Sequence, residues 1–124
     1  MTVHLIDAAL DAELQYLKDN VTERYICAGS PTTRAAAITA ALCTLTGLTS
    51  GSFTGPVDGD DNGRKVTKDA ESGDGIDADG TADTVCYCSA TTLLWRVDNA
   101  SPQALTTGGT VDTAAHDHEA ADAV

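Results

Sequence analysis

"TADTVCYCSATTLLWRVD" (residues 81–98) is the stretch that decides the fold. Val85 and Tyr87 alternate with Cys86 and Cys88. After a turn at about Ser89–Thr92, Leu93, Trp95 and Val97 alternate with Leu94 and Arg96. A period of two sends successive side chains to opposite faces of a strand, and two such runs joined by small polar residues predict an antiparallel hairpin. Trp95, the only tryptophan, stands between Leu93 and Val97 and is expected to anchor a core. With five aromatic residues in all, the chain is too poor in rings to build the stacking platform of a sugar-binding sheet.

Outward from the hairpin, the chain divides near residue 44. From there on Gly, Asp, Ser and Thr dominate, no 3.6-residue period survives, and the region 44–115 is expected to be β-rich. "QALTTGGTVDTAA" (residues 103–115) predicts two more short strands around Gly108-Gly109, a pair that accepts the positive φ of a tight turn. Toward the N-terminus, Val3, Ile6, Leu10, Leu14, Leu17 and Val21 recur every three or four residues, while Asp7, Asp11, Glu13, Lys18 and Asp19 lie off that stripe. This predicts an amphipathic helix over 3–19 that stops near Asn20. "RYICAG" (residues 24–29) predicts a strand, Ser30-Pro31 a break, and "TRAAAITAALC" (residues 33–43) a short helix with the stripe Ala35, Ile38 and Leu42. "HDHEAADAV" (residues 116–124) shows no apolar pattern and is expected to be an acidic tail. The predicted fold is α+β, mainly β: an N-terminal amphipathic helix followed by antiparallel strands, one domain over 1–115 with a tail at 116–124.

Composition limits what such a domain can do alone. Of its apolar residues 20 are Ala, whereas Leu, Ile, Val and Phe together number 23, just under a fifth of the 124 residues, and the net charge is −12. Few large side chains and strong like charge weaken a solitary core, so stabilisation by assembly is expected. Seven Lys and Arg, scattered apart from Arg64, Lys65 and Lys68, form no basic stripe, which argues against nucleic acid as a partner. No apolar run approaches the ~20 residues of a membrane span. Asp7, Asp11 and Glu13 stand where a signal peptide would be apolar, so a soluble protein without a cleaved signal is expected.

Three groups of residues raise questions of chemistry. "DGDDNGRKVTKD" (residues 58–69) places Asp58, Asp60, Asn62, Gly63 and Asp69 at positions one, three, five, six and twelve of a calcium loop. Position eight is Lys65 where an aliphatic residue is usual, position twelve lacks the bidentate Glu, and Val66-Thr67 look like a strand. A turn between strands is therefore the expected reading. A weaker surface calcium site shared with Asp74, Asp77 and Asp79 is the alternative. Cys27, Cys43, Cys86 and Cys88 allow three complete disulfide pairings, but the C-x-C spacing suits neither a bond between Cys86 and Cys88 nor structural zinc. Buried reduced thiols are expected. His116 and His118 flank Asp117 as a His-x-His pair, expected to be solvated in the tail. Ser30 and Ser89 have no partner suggesting a nucleophile with its base, and no phosphate-binding glycine loop is present. No catalytic residue, cofactor or metal is assigned, and the chain is expected not to be an enzyme.

Several phrases, in order, carry a resemblance. The helix, "ICAGSPTT" (residues 26–33), "NGRKVT" (residues 62–67), "DGTAD" (residues 79–83) and "QALTTGGTVD" (residues 103–112) resemble a group of small virion structural proteins of tailed bacteriophages, over residues 5–115. The resemblance implies a β-sandwich-like domain that assembles on the particle as a head decoration or cement protein. Its partners would be the major capsid protein or another virion protein, and further copies of itself in a homo-oligomer, with a trimer as the expected form. It would be assembled in the host cytoplasm and sit on the capsid exterior. The excess of acid then predicts that residues 58–80 and the tail from His116 face outward, with the less charged N-terminal segment and the turn around Ser30–Thr33 as the attachment surface. The competing readings are a calcium- or carbohydrate-binding β-domain and a tail or connector component.

Overall fold

The computed structural model describes residues 7–59 and 63–120. In chain order the elements are α1 (Asp7–Asn20), β1 (Glu23–Cys27), α2 (Arg34–Ala40), β2 (Ala41–Thr46), a 3-10 turn (Ser50–Ser52), β3 (Phe53–Asp58), β4 (Arg64–Lys68), β5 (Glu71–Gly75), β6 (Gly80–Cys88), β7 (Leu93–Leu105), β8 (Thr110–Thr113) and β9 (His116–Ala120). The strands form three sheets ordered β2-β1-β6-β7, β3-β4-β9 and β5-β8, all antiparallel, which curl into a half-barrel. Strand outweighs helix by 51% to 22%, so the α+β, mainly β class is as the sequence predicts.

The hairpin forms as expected. β6 and β7 pair with Val85 opposite Val97 and Tyr87 opposite Trp95, and Ser89 N–H donates to the Thr92 carbonyl at 2.8 Å to close the turn. A register shift at Cys88 alters the facing of one residue. Leu93 packs with the cysteines on the outer face, and Leu94 joins Trp95 on the inner one.

α1 buries Leu10, Leu14 and Leu17, one face of two helical turns, and Val21 continues the stripe beyond its end. The Asn20 amide donates back to the Tyr16 carbonyl at 2.8 Å, satisfying one of the acceptors that a helix leaves open at its C-terminus. The predicted start of this helix, residues 3–6, lies outside the described residues. Together with Leu48, Phe53, Val66, Tyr87 and Trp95, the α1 stripe makes the main core, between the helix, β3-β4 and the hairpin. Gly55 lets β3 approach its neighbour: its φ is +109°, and a Cβ there would lie 2.8 Å from the Lys65 carbonyl oxygen.

Three expectations are corrected. The helix predicted over 33–43 ends at Ala40, and Ala41, Leu42 and Cys43 belong to β2. Its stripe is also different, since Ala37 is buried while Ala35 and Ile38 face solvent. A seven-residue alanine helix gains little by burying a face, whereas pairing with β1 buries both Leu42 and Cys43, so tertiary pairing overrides helical propensity. Around Gly108-Gly109, Leu105 ends the long β7 and β8 pairs with β5, so the glycine turn joins two sheets and closes no hairpin. The segment expected as a tail from His116 is in part strand β9, running beside β4 with His118 opposite Val66. Residues 121–124 lie outside the described residues.

Candidate functional site

β9 shows how a polar sequence can serve as a core strand. Its alternation puts Asp117 and Glu119 outward, and His116 and His118 inward against Trp95. Tyr87 and Trp95 stack with ring centroids 4.6 Å apart, His116 leans on both, and His118 meets Trp95 edge-on at 5.1 Å. His116 has a fixed tautomer. Its Nδ1 lies 3.0 Å from the Ala114 carbonyl, which can only accept, so Nδ1 carries the proton and Nε2 accepts from the Tyr87 hydroxyl at 2.8 Å. Burial lowers the pKa of His118 below its ordinary 6.5, against the opposing pull of Glu13 at 3.9 Å. The expected solvated pair is thus half-buried packing, with the imidazoles in the place of apolar side chains.

Beside His116 the concave face of the half-barrel is left uncovered by the described residues. A groove of about 400 Å³ runs along β7. Its floor is Ile26, Val85, Val97, Leu105 and Val111, of which the three valines stay only half-buried. Its walls carry Asp98, Asn99, Ser101, Gln103 and Asp112, with Thr113 and His116 at the β8–β9 end, and no Lys or Arg among the lining residues. β7 is the edge strand of its sheet. Between Ala82 and Thr84 on β6 it carries extra residues, from Asn99 to Pro102, and the Asn99 amide fills the gap by donating to the Ala82 carbonyl at 3.1 Å. A proline in that bulge removes no ladder hydrogen bond.

Behind the groove lies a buried charge that the sequence did not mark. Arg24, on the inner face of β1 opposite Tyr87, is fully buried; it meets Asp74 of β5 at 2.7 Å, donates to the Thr113 hydroxyl at 3.1 Å and reaches the Cys43 sulfur at 3.7 Å. It ties the four-stranded sheet to β5-β8 and fixes Thr113 in the groove wall. Periodicity assigns Arg24 to a strand face, but only the fold shows that its face is the covered one.

The calcium-loop spacing resolves into a hairpin. Gly63 takes φ +70° and the Gly59 N–H donates to its carbonyl, closing the β3–β4 turn; Asp60, Asp61 and Asn62 lie outside the described residues. Positions seven to eleven of the supposed loop are the extended strand β4, which carries Asp69 roughly 17 Å from the turn at ~3.4 Å per residue. Asp58 is held by Arg64 at 2.7 Å and Asp69 by the Thr54 hydroxyl at 2.9 Å. In the second acidic stretch Asp74 serves Arg24, and Asp79 accepts from the Thr107 N–H and hydroxyl, which lower its pKa. Among the described residues no three His, Cys, Asp or Glu side chains converge on one point.

The four cysteines are unpaired and buried. Cys27, Cys86 and Cys88 line the outer face of β1 and β6 beneath α2, where the Cys27 thiol donates to the Ala37 carbonyl at 3.3 Å. The hydrogen bond with Cys86, and after it burial, raises the Cys27 thiol; burial pushes Cys88 up to about 11; and the hydrogen bond from Cys27 lowers Cys86 to about 7. All three side chains serve as small, buried packing groups. Small side chains on both surfaces let α2 sit close.

No family model matches this chain, and no curated protein or solved structure matches it either. Among the described residues no helix is long and apolar enough to cross a membrane.

Proposed function

We propose that this chain is a non-enzymatic structural protein of a tailed-phage virion, a head decoration or cement protein. In this reading it stabilises the capsid exterior by binding the major capsid protein or a neighbouring shell component, and further copies of itself. The observation that carries the reading is how the positive charge is used. Arg24, Arg34, Arg64, Arg96, Lys65 and Lys68 each pair with a carboxylate of the same chain, and Lys18 donates to the Gly55 carbonyl. No Lys or Arg is left uncommitted for phosphate, and the excess of 19 acids over seven bases remains. Such a surface is repelled by packaged DNA and suits the outer side of a shell.

Two further features support the reading. The phrases that carry the resemblance fall at the joints of the fold: the end of β1 with the Thr33 cap of α2, Gly63 with the start of β4, the start of β6, and the β7–β8 turn. Tyr16 is exposed beside Leu94 in a shallow depression between α1 and the hairpin, an apolar spot that a neighbouring subunit would cover. Mass spectrometry of purified particles, with antibody labelling under the electron microscope, tests the proposal. Many copies per particle with label on the outer surface are expected; absence from washed particles, or label confined to the tail, would overturn it.

A further inference from the structure

We propose that the groove along β7 is a docking site for an extended segment of another protein in which apolar residues alternate with lysine or arginine. The inference rests on the groove itself and holds whether or not the chain belongs to a virion. Three observations select this occupant. First, Val85, Val97 and Val111 form an apolar floor that is left half-buried, whereas Leu10, Leu14, Val21 and Val66 of the main core are fully covered. Second, the groove follows an edge strand, with Val97, Asp98, Asn99, Ser101, Gln103 and Leu105 lining it on both sides of the bulge. A segment lying along it would be extended, with alternate side chains directed to the floor and to the rim.

The third observation is charge. Asp98 and Asp112 stand on the walls, both exposed; no Lys or Arg is among the lining residues, and Arg96, outside the lining, pairs with Asp98 alone of the two. Asp98 shares Arg96 at 3.3 Å and Asp112 accepts from the Gly73 N–H, so both keep acceptor capacity for an incoming cation. Lysine and arginine fit such a rim doubly, since their methylene stems lie on apolar surface while the charged head reaches the carboxylates. An acidic segment would meet the chain's own charge of −12.

The test uses the purified full chain and three synthetic hexapeptides with capped ends: alternating lysine–valine, alternating glutamate–valine and alternating lysine–serine. Binding is followed by titration calorimetry, and the site by methyl NMR signals of Val85, Val97 and Val111. The expected result is shifts at these three valines with the lysine–valine peptide, and a Kd at least about tenfold tighter than for either control. The exposed double variant Asp98→Asn/Asp112→Asn should weaken lysine–valine binding at least fivefold without moving the melting temperature. No binding by the lysine–valine peptide, equal binding by lysine–serine, or shifts confined to residues outside the groove would overturn the proposal. So would groove shifts that depend on protein concentration without peptide, which would give the site to a second copy.

Discussion

The two ends of one concave sheet face are built from the same kinds of residue and finished differently. At one end α1 and β9 close over Tyr87 and Trp95, and Leu14, Val21, Val66 and Tyr87 have no exposed surface. At the other end Val85, Val97 and Val111 present similar side chains to an open groove. Arg24 and its partners Asp74 and Thr113 stand between them. The difference is one of degree of burial: the closed end buries its large apolar side chains completely, and the open end packs one side of each valine on the cores while leaving the other side in the groove.

The comparison breaks most visibly at the closed end. Leu10→Asp places an unpaired carboxylate between α1 and β4, and this variant is expected to be insoluble or unfolded, since burying such a charge costs several kcal/mol. Recovery of a soluble, cooperatively melting Leu10→Asp protein would show that α1 is not docked. Asp74→Asn tests the partition. It leaves the buried Arg24 guanidinium without its carboxylate, and denaturant unfolding should show a loss of about 3 kcal/mol. A loss within experimental error would mean that the two ends are held together by other contacts.

A smaller effect distinguishes the strand that closes the core. The pKa of His118 in the folded chain lies below its ordinary 6.5 because burial disfavours the imidazolium. The unfolded chain therefore takes up the proton first, and stability is lost as pH falls through about 6.5, levelling off below the folded value. The slope cannot exceed about 1.4 kcal/mol per pH unit for one proton. Melting curves at about pH 7.5 and 5.5 should show a larger drop for the native chain than for His118→Phe, which has no proton to take up. Equal drops would place His118 outside the packed layer.

Much of the closed end was legible in the sequence. The spacing of Leu10, Leu14 and Leu17 and the alternation around Trp95 are strong periodic signals, and both elements form where those signals place them. β9 was hidden because its inward positions are His116 and His118, and an alternation of imidazole with carboxylate resembles a solvated tail unless histidine is counted with the apolar side. β2 was hidden because Ala41 continues an alanine run whose helical propensity outlasts the helix. The groove had no local signal at all. Val85, Val97 and Val111 come from three strands, and their common exposure depends on how the sheets curl and on what fails to cover them.

Two valines give the most direct test of the division between the ends. Val66, on β4 beneath α1, is fully buried, and Val97, on β7 in the groove, is only half-buried. Val66→Ala and Val97→Ala delete the same two methyl groups, so intrinsic chemistry cancels and only the surroundings differ. Urea unfolding of the two variants should show a loss of about 2–3 kcal/mol for Val66→Ala, from lost burial plus the cavity left behind, and less than about 1 kcal/mol for Val97→Ala. Equal losses, or a larger loss for Val97→Ala, would contradict the account, because the groove would then be part of what holds the fold together.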